Sequence, residues 1–308
     1  VDSGNYDDAD KILTHIRTHY DKVKKSGWSG YVIDAAIVTH PDDDHIGGFV
    51  HILEDLQAGK LYDICFNCFW VNDPTKHEFV PNDVQRIQTQ KSLDARLKCV
   101  YNYKEDSKKN LLDLIDSAGI ARTEVFAGDY LDEPQITIIS PTRDFYESLL
   151  PKFRNKLNFH WALEALEENL YSSKDDISDE TTLSKTLDDA TDDTSAHNQS
   201  SIVFLLETDE KQKFLFTGDA GRDAFNHVPQ TLLGKVKDVT WMKVPHHGSK
   251  HNLDSTIIKH VNPEIAYIST EKQGKYLNRS TVFALKKNGT KVYSTSQNRS
   301  TIRHGAIK

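Results

Sequence analysis

Residues 31–57 read YVIDAAIVTHPDDDHIGGFVHILEDLQ, an apolar run followed by an acidic turn and a second apolar stretch. The run at 31–39 is rich in β-branched and small apolar residues, which predicts a buried strand. Pro41 ends it, because proline has no amide hydrogen to donate to a sheet. The apolar spacing over 45–57 predicts a helix. This order of elements places polar side chains at the carboxyl end of a strand, where open α/β folds bind their ligands.

The acidic turn carries four potential metal ligands within six residues, namely His40, Asp42, Asp44 and His45. Three consecutive carboxylates at 42–44 with no basic residue beside them repel one another, so the cluster favours a bound cation. One tight loop can serve two adjacent metals, since its alternate residues project the same way. The alternative interpretation is a solvated acidic cluster that caps the next helix.

Two later strands also end in polar residues. Asp219 follows the strand-like stretch KFLFTG at 213–218, and VPHHGS at 244–249 follows VTWMK at 239–243. An ordinary turn or loop would explain either segment alone. Three strand ends rich in Asp or His together indicate a shared site.

The other patterns predict a mixture of helices and strands. Helices are expected at 9–25 and 108–118, strands at 62–70, 135–140 and 264–269, and a hairpin at 201–206 and 213–217. This mixture predicts a layered α/β sandwich. Residues 143–170 are interpreted as a helical insertion, and the acidic stretch at 171–197 as a mobile one.

Composition narrows the class of protein. The chain has 308 residues, of which 37% are hydrophobic and 27% charged, as in soluble globular proteins. It has no run of 18 apolar residues, so no membrane span is expected, and its polar start is unlike a signal peptide. Three cysteines are too few for a disulfide framework, which predicts a reducing, cytoplasmic location. Cys65 and Cys68 are interpreted as a buried pair of small apolar residues.

Charge is unevenly distributed along the chain. The net charge of −8 argues against a general nucleic-acid binder. Residues 174–193 carry a net charge of −6, whereas residues 271–308 carry +8. Each stretch is interpreted first as a solvated surface.

These motifs carry a family resemblance. The combination of Asp2, HPDDDHIGG at 40–48, Asp219 in FTGD and His246 in VPHHGS resembles the metallo-β-lactamase superfamily. It is most similar to the ComEC-like branch, linked to DNA uptake in competence, as a stand-alone soluble member. That branch has Asp where other members have the second His of the first motif, as at position 42. The segment NQSSIV at 198–203 resembles the one that replaces the third-motif His in that branch.

The resemblance implies a fold and a set of ligands. The fold is one αβ/βα four-layer sandwich over 1–308, with an inserted segment at about 143–197 and with the family's first strands absent or truncated before Val1. It implies two divalent metal ions, Zn²⁺ or Mn²⁺, because the ligands are imidazoles and carboxylates without Cys. The implied metal ligands are His40 and Asp42 for one ion, Asp44, His45 and His246 for the other, and Asp219 as the bridge.

Further residues are implied to support this centre. Asp2 would orient ligands by hydrogen bonds, as carboxylates behind metal ligands do. His247 would be a substitute ligand or a supporting group, and His197 an extra ligand. Asn198 and Ser201 would line the site. Ser249, Lys250 and Arg279 are expected around the site or the substrate.

The implied activity is that of a metal-dependent hydrolase, most specifically a two-metal phosphodiesterase or nuclease that uses a metal-activated hydroxide. Asp44 or Asp219 would accept or orient the proton of the attacking water. The expected partner is nucleic acid or another phosphodiester, met by basic residues through charge. These are Lys243, Lys250, Lys275, Arg279, Arg299 and Arg303.

Two alternatives stay open. One is a hydrolase of a small lactone, thioester or nucleotide, because residues 275–280 read KYLNRS where relatives often have a His-Pro pair. The other is a regulatory subunit of a larger assembly, with the inserted segment as the surface for a protein partner. No membrane partner is expected.

Overall fold

Helices and strands alternate along the chain, which confirms the predicted α/β class. The structure, a computed structural model, describes residues 1–25, 27–77, 93–153, 186–270, 277–295 and 305–306. The chain divides into two compact units. The N-terminal unit comprises Val1–Val125 and Glu147–Asn158, and the C-terminal unit comprises Phe126–Tyr146 and Phe159–Lys308.

The N-terminal unit contains two three-stranded sheets, ordered β1-β2-β4 and β3-β5-β6. The strands are β1 Val23–Lys25, β2 Trp28–Ile33, β3 Ala36–Ile37, β4 Ile64–Phe66, β5 Cys68–Trp70 and β6 Ala121–Thr123. The helices of this unit include α1 Ala9–His19, α2 Asp43–Gln57 and α3 Leu111–Ser117. The predicted strand at 31–39 is therefore divided between two sheets, and so is the one at 62–70.

The first helix is shorter than predicted. It ends at His19, and β1 pairs antiparallel with β2 in the register Val23↔Gly30 and Lys25↔Trp28. Gly27 has a φ of 75°, a conformation that glycine adopts without strain, so the chain can reverse between these strands. Pairing between strands thus overrides the helical spacing that continued to residue 25.

The helix α2, predicted over 45–57, organises this unit. The ring of Phe49, on α2, contacts the rings of Phe66 and Phe69 edge-on, at centroid distances of 6.4 and 5.2 Å. On another face of α2, a Cβ at Gly47 would approach the Tyr6 amide nitrogen to 2.5 Å. Glycine at this position therefore lets the segment near the N-terminus pack directly on the helix.

The interpretation of Cys65 and Cys68 as a buried pair is wrong. Cys65 is exposed and Cys68 is half-buried, and both are free thiols. The cause is strand alternation, since Ile64 and Phe66 point into the core and Cys65 between them points outward. The two cysteines also lie on strands of different sheets.

The C-terminal unit is built on an eight-stranded sheet, ordered β14-β13-β12-β11-β10-β9-β8-β7. The strands are β7 Tyr130–Leu131, β8 Gln135–Ser140, β9 Val203–Glu207, β10 Lys213–Phe216, β11 Trp241–Lys243, β12 Ile265–Ile268, β13 Lys291–Ser294 and β14 Gly305–Ala306. The helices are α4 Arg143–Leu149, which runs into the N-terminal unit, α5 Ala196–Gln199, α6 Arg222–Asn226, α7 Gln230–Leu233, α8 Ser255–Val261 and α9 Arg279–Lys287. The predicted hairpin is β9 and β10, which pair antiparallel.

Four neighbouring strands of this sheet, β10 to β13, run parallel. Leu215, Met242, Ala266 and Val292 occupy successive positions across them and are all buried. The carboxyl ends of β10 and β11 consequently lie side by side, and this brings the segments after Phe216 and Lys243 close together.

Part of the acidic stretch expected to be mobile is packed. Residues 154–185 lie outside the described residues, but Leu187 is fully buried. The buried Arg222 guanidinium donates hydrogen bonds to the carbonyls of Leu187 (2.7 Å) and Ala190 (3.0 Å). The residues 186–190, which were expected to be mobile, are thus tied to the C-terminal unit by a buried cation.

Within the described part of the chain, none of the helices combines the length and apolar character needed to cross a membrane.

Candidate metal centre

The first ligand-rich segment leaves the sheet after β3 and enters α2. Asp42 occupies the N-cap position of α2 with extended backbone, yet its side chain makes no capping hydrogen bond. His40 is only 1% exposed and His45 only 4%. Helix capping therefore does not explain Asp42, and the two buried imidazoles need polar partners.

Asp2 supplies those partners. Its carboxylate accepts hydrogen bonds from the Thr39 amide, the Thr39 hydroxyl and His45 Nδ1, each at 2.8 Å. The Thr39 hydroxyl oxygen also lies 3.0 Å from His40 Nδ1. Asp2 thus contacts one histidine directly and the other through a threonine.

This chain of hydrogen bonds fixes both tautomers. An ionised carboxylate only accepts, so His45 Nδ1 must carry the proton that is donated to Asp2. The Thr39 hydroxyl donates its hydrogen to Asp2, so its oxygen accepts a hydrogen bond from His40 Nδ1. In the neutral form of both rings, therefore, Nε2 is the atom that carries the lone pair, as in a metal-binding imidazole.

The Asp2 carboxyl is held in its ionised form. Burial acts to raise its pKa, but the charge and hydrogen bond of His45, together with the charge of His40, outweigh burial and lower the pKa. The left-handed backbone of Asp2, with a φ of 46°, turns this side chain into position and is uncommon for a non-glycine residue.

Each Nε2 lies near a carboxylate oxygen of the same segment. His40 Nε2 is 3.7 Å from Asp42 Oδ2, and His45 Nε2 is 3.9 Å from Asp44 Oδ2. These distances are too long for good hydrogen bonds. Two ligand atoms about 2.1 Å from a tetrahedral zinc ion would lie about 3.4 Å apart, so each pair needs only a small adjustment to share an ion.

The second set of predicted ligands belongs to the C-terminal unit. Asp219 follows β10 after Gly218, which has a φ of 52°. The buried Asp219 accepts from Lys243 Nζ at 3.0 Å through Oδ1, and its amide donates to Ser201 Oγ at 3.0 Å. Asn252 Nδ2 donates to the Asp219 carbonyl at 3.0 Å. Lys243 thereby holds the carboxylate, while Ser201 and Asn252 hold the main chain of Asp219.

Lys243 does not lie where the sequence analysis placed it. It was expected to meet substrate phosphates, but its ammonium also donates to the Gly218 carbonyl at 2.5 Å. Because β10 and β11 are parallel neighbours, the last residue of β11 reaches the turn that follows β10. The positive charge therefore neutralises Asp219.

His246 and His247 both have left-handed backbone, with φ angles of 42° and 53°. Two consecutive non-glycine residues in this region are a strained arrangement of the kind that concentrates at functional sites. His247 Nδ1 lies 2.6 Å from the Ser269 carbonyl, which can only accept, so its Nε2 carries the lone pair. That Nε2 is 3.6 Å from Asp219 Oδ2. The contact with Asp219 is thus made by His247, which the sequence analysis ranked behind His246.

His246 points into a separate polar network. Its Nδ1 lies 3.1 Å from Asp193 Oδ2 and 3.2 Å from Asn252 Oδ1. Burial acts to raise the pKa of Asp193, but the hydrogen bond and charge of His246, with a hydrogen bond from Asn198, lower it. Neither Asp193 nor Asn252 was singled out from the sequence. Asp193 was grouped with the acidic run, and a buried acid within such a run leaves no signal in the sequence alone.

The remaining predicted residues have varied surroundings. Asn198 Nδ2 donates to Asp193 Oδ2 at 2.8 Å, and Ser201 Oγ accepts from the Asp219 amide at 3.0 Å. His197 is buried and its carbonyl accepts from Ser200 Oγ at 2.7 Å. Ser249 Oγ accepts from the His251 amide at 3.2 Å.

The expected phosphate-binding side chains are only partly described. Lys250 gives its carbonyl to Arg222 at 3.1 Å, and Arg279 is exposed at the start of α9. Lys275, Arg299 and Arg303 lie outside the described residues.

The donor sets of both units fit divalent metal. Each combines imidazole Nε2 atoms with carboxylate oxygens, and the acceptors on Nδ1 hold the rings in the ligating tautomer. Such ligands suit Zn²⁺ and Mn²⁺.

A scan against protein-family models gives no match, and a search of curated proteins gives no relative of this chain.

Proposed function

We propose that the protein is a metal-dependent hydrolase with a two-metal centre. One set of ligands lies in the N-terminal unit and a second set lies in the C-terminal unit. The family resemblance assigns both sets to one centre. With this proposal goes the four-layer αβ/βα sandwich that the resemblance implies. The proposed ligands are His40, Asp42, Asp44 and His45 from the N-terminal unit, and Asp219, His246 and His247 from the C-terminal unit.

The main support is the pairing of histidine Nε2 atoms with carboxylates. Three such pairs occur at 3.6–3.9 Å, two in the N-terminal unit and one in the C-terminal unit. In each histidine an acceptor holds the proton on Nδ1. In the neutral imidazoles, a lone pair that faces a carboxylate is repelled by it, and a divalent cation between the two atoms would turn this repulsion into attraction.

Two bound divalent ions would supply positive charge for the attacking and leaving oxygens and would lower the pKa of water. The residues of the chain hold the geometry and move the proton. The side chain of Asp44 is 41% exposed, so it can take a proton and release it to solvent. Asp219, whose side chain is 4% exposed and neutralised by Lys243, is suited to holding charge in place rather than exchanging protons.

The proposed substrate is a phosphodiester, with nucleic acid as the leading candidate. The resemblance points there, and Arg279 offers an exposed guanidinium. Because Lys243 is engaged by Asp219, it drops out of the expected phosphate-binding set. Lys250 and Arg279 are the described members that stay in that set.

The proposal is tested by hydrolysis assays on metal-stripped protein that is reloaded separately with Zn²⁺ and Mn²⁺. Substrates are bis(p-nitrophenyl) phosphate, single- and double-stranded DNA, and RNA. We expect cleavage that depends on metal and is lost in Asp44→Ala/His45→Ala. Asp43→Ala is the matched control, since Asp43 lies in the same turn outside the proposed ligand set.

A protein that binds metal but cleaves no phosphodiester would contradict the substrate class. Hydrolysis of a lactone or thioester by the same loaded protein would then identify the small-molecule alternative. Metal binding without hydrolysis of any of these substrates would instead favour the regulatory-subunit interpretation.

A further inference from the structure

The buried Asp193 lies at the centre of a polar network in the C-terminal unit. Its Oδ2 accepts from Asn198 Nδ2 at 2.8 Å and from Asn252 Nδ2 at 2.9 Å, and lies 3.1 Å from His246 Nδ1. Its Oδ1 accepts from the Ser195 amide at 2.8 Å. The carboxylate therefore has donors around both oxygens.

The main chain of Asp193 is fixed as well. Its amide donates to the His251 carbonyl at 3.1 Å, and its carbonyl accepts from Gln199 Nε2 at 2.6 Å. Arg222 holds the preceding residues through the carbonyls of Leu187 and Ala190. The position of the Asp193 carboxylate is thus fixed by its main chain, and the side chains around it orient toward it.

Because an ionised carboxylate only accepts hydrogen bonds, each atom that hydrogen-bonds to the Asp193 carboxylate must be a donor. His246 Nδ1 must be protonated to donate to Asp193, so the lone pair of this ring is on Nε2. Asn252 uses its Nδ2 on Asp193, which leaves its Oδ1 as a second acceptor for His246 Nδ1 at 3.2 Å. Both contacts select the same histidine tautomer, and the third neighbour of Nδ1, Asn198 Nδ2 at 3.4 Å, makes its shorter hydrogen bond to Asp193.

The same carboxylate fixes the orientation of the Asn198 side-chain amide. Because Nδ2 of Asn198 donates to Asp193, Oδ1 is the atom directed away from the carboxylate. Within the described residues this buried Oδ1 has no hydrogen-bond partner in the protein. An unsatisfied buried oxygen is costly unless a ligand, water or ion completes it.

We propose that Asp193 is a positioning residue of the metal centre, which holds His246 in the Nδ1–H tautomer and Asn198 with its carbonyl oxygen available to a ligand. The effect on metal binding rests on the proposed function, whereas the effect on the tautomer of His246 does not. Asp193 itself touches neither metal nor substrate in this assignment.

Asp193→Asn is the sharpest perturbation, since it keeps the shape of the side chain. The new amide has one oxygen, so in one orientation its NH₂ faces the donors of Asn198, Asn252 and His246. In the other it faces the Ser195 amide. The first orientation forces His246 to protonate Nε2, and a protonated Nε2 cannot bind metal.

Two readouts on ¹⁵N-histidine-labelled protein test this. A long-range ¹H–¹⁵N correlation spectrum of the metal-free wild type should show His246 as the Nδ1–H tautomer, with the signal assigned from His246→Gln. In Asp193→Asn we expect the Nε2–H form to appear and Zn²⁺ affinity, from competition with a chromophoric chelator, to fall about 10–100-fold. Asp189→Asn, an exposed acid four residues earlier, should leave both unchanged.

An Nε2–H tautomer of His246 in the wild type would overturn the proposal, and this result does not depend on whether any variant folds. Unchanged Zn²⁺ affinity in a folded Asp193→Asn whose His246 has changed to the Nε2–H form would overturn it too. A wild type that binds no Zn²⁺ but shows the Nδ1–H tautomer, replaced in Asp193→Asn, would contradict the proposed function while supporting the positioning role.

Discussion

Replacing Asp2 by Asn should weaken both metal binding and the fold. The carboxylate accepts three hydrogen bonds, two from Thr39 and one from His45. An amide has a single acceptor oxygen. Whichever way the new side chain is turned, its NH₂ faces either the Thr39 amide or the donors of His45 and the Thr39 hydroxyl.

The magnitude follows from what is lost. One charge-assisted hydrogen bond and the resulting donor–donor contact should cost about 1.5–3 kcal/mol of unfolding free energy. Loss of the acceptor that orients a histidine ligand typically reduces metal affinity about 10–100-fold. When the NH₂ faces His45 and the Thr39 hydroxyl, both histidines of the turn are affected, His45 directly and His40 through Thr39, so we expect the upper part of this range.

Zn²⁺ affinity is measured by competition with a chromophoric chelator, and unfolding free energy by urea titration with tryptophan fluorescence. Asp7→Asn, an exposed acid near Asp2, is the matched control and should change neither. If Asp2→Asn bound Zn²⁺ within about twofold of wild type, well short of the loss expected for an orienting carboxylate, the assignment of the two tautomers to this hydrogen-bond chain would be wrong.

Three further changes test other parts of the account. Arg222→Met leaves buried carbonyls without their donor and should cost about 3–5 kcal/mol in urea unfolding; a cost of less than about 1 kcal/mol would show that the guanidinium does not hold residues 186–193. Gly48→Ala would stabilise by about 0.5–1 kcal/mol on helix propensity alone, but its Cβ would meet the Ser3 carbonyl, so we expect a lower melting temperature. Burial acts to lower the pKa of His77, but the carboxylates of Glu124 and Glu147, each 2.9 Å away, outweigh it and raise the pKa. A raised pKa stabilises the fold below the unfolded value of about 6.5, and this stabilisation is lost as pH rises through the folded pKa, so the difference in unfolding free energy between wild type and His77→Gln should shrink as the pH rises above about 6.5.

The local sequence pattern was sufficient to predict those helices and strands whose formation depends mainly on their own residues. The strand at 135–140 and the hairpin that leads to Asp219 agree with the structure, because their apolar runs are bounded by turn residues. The helix after the acidic turn was also predicted. It begins slightly earlier, at Asp43, since the acidic residues are favourable in its first turn.

Long-range packing decided what the sequence could not. Residues 23–25 form a strand because a partner strand is available, although their spacing continues a helix. Asp193 sits in an acidic run that would suit a solvated surface, and only the folded chain brings His246 to it. Likewise, the sequence names two adjacent histidines but not which one meets Asp219, since that depends on two left-handed backbone positions.

The most direct test of the central claim is the number of divalent ions that the purified chain retains. Metal-stripped protein is dialysed to equilibrium against Zn²⁺ or Mn²⁺ and analysed by inductively coupled plasma mass spectrometry. We expect about two ions per chain in the wild type, with fewer in His45→Ala and in Asp219→Asn. A wild-type protein that retains no more metal than these variants would contradict it.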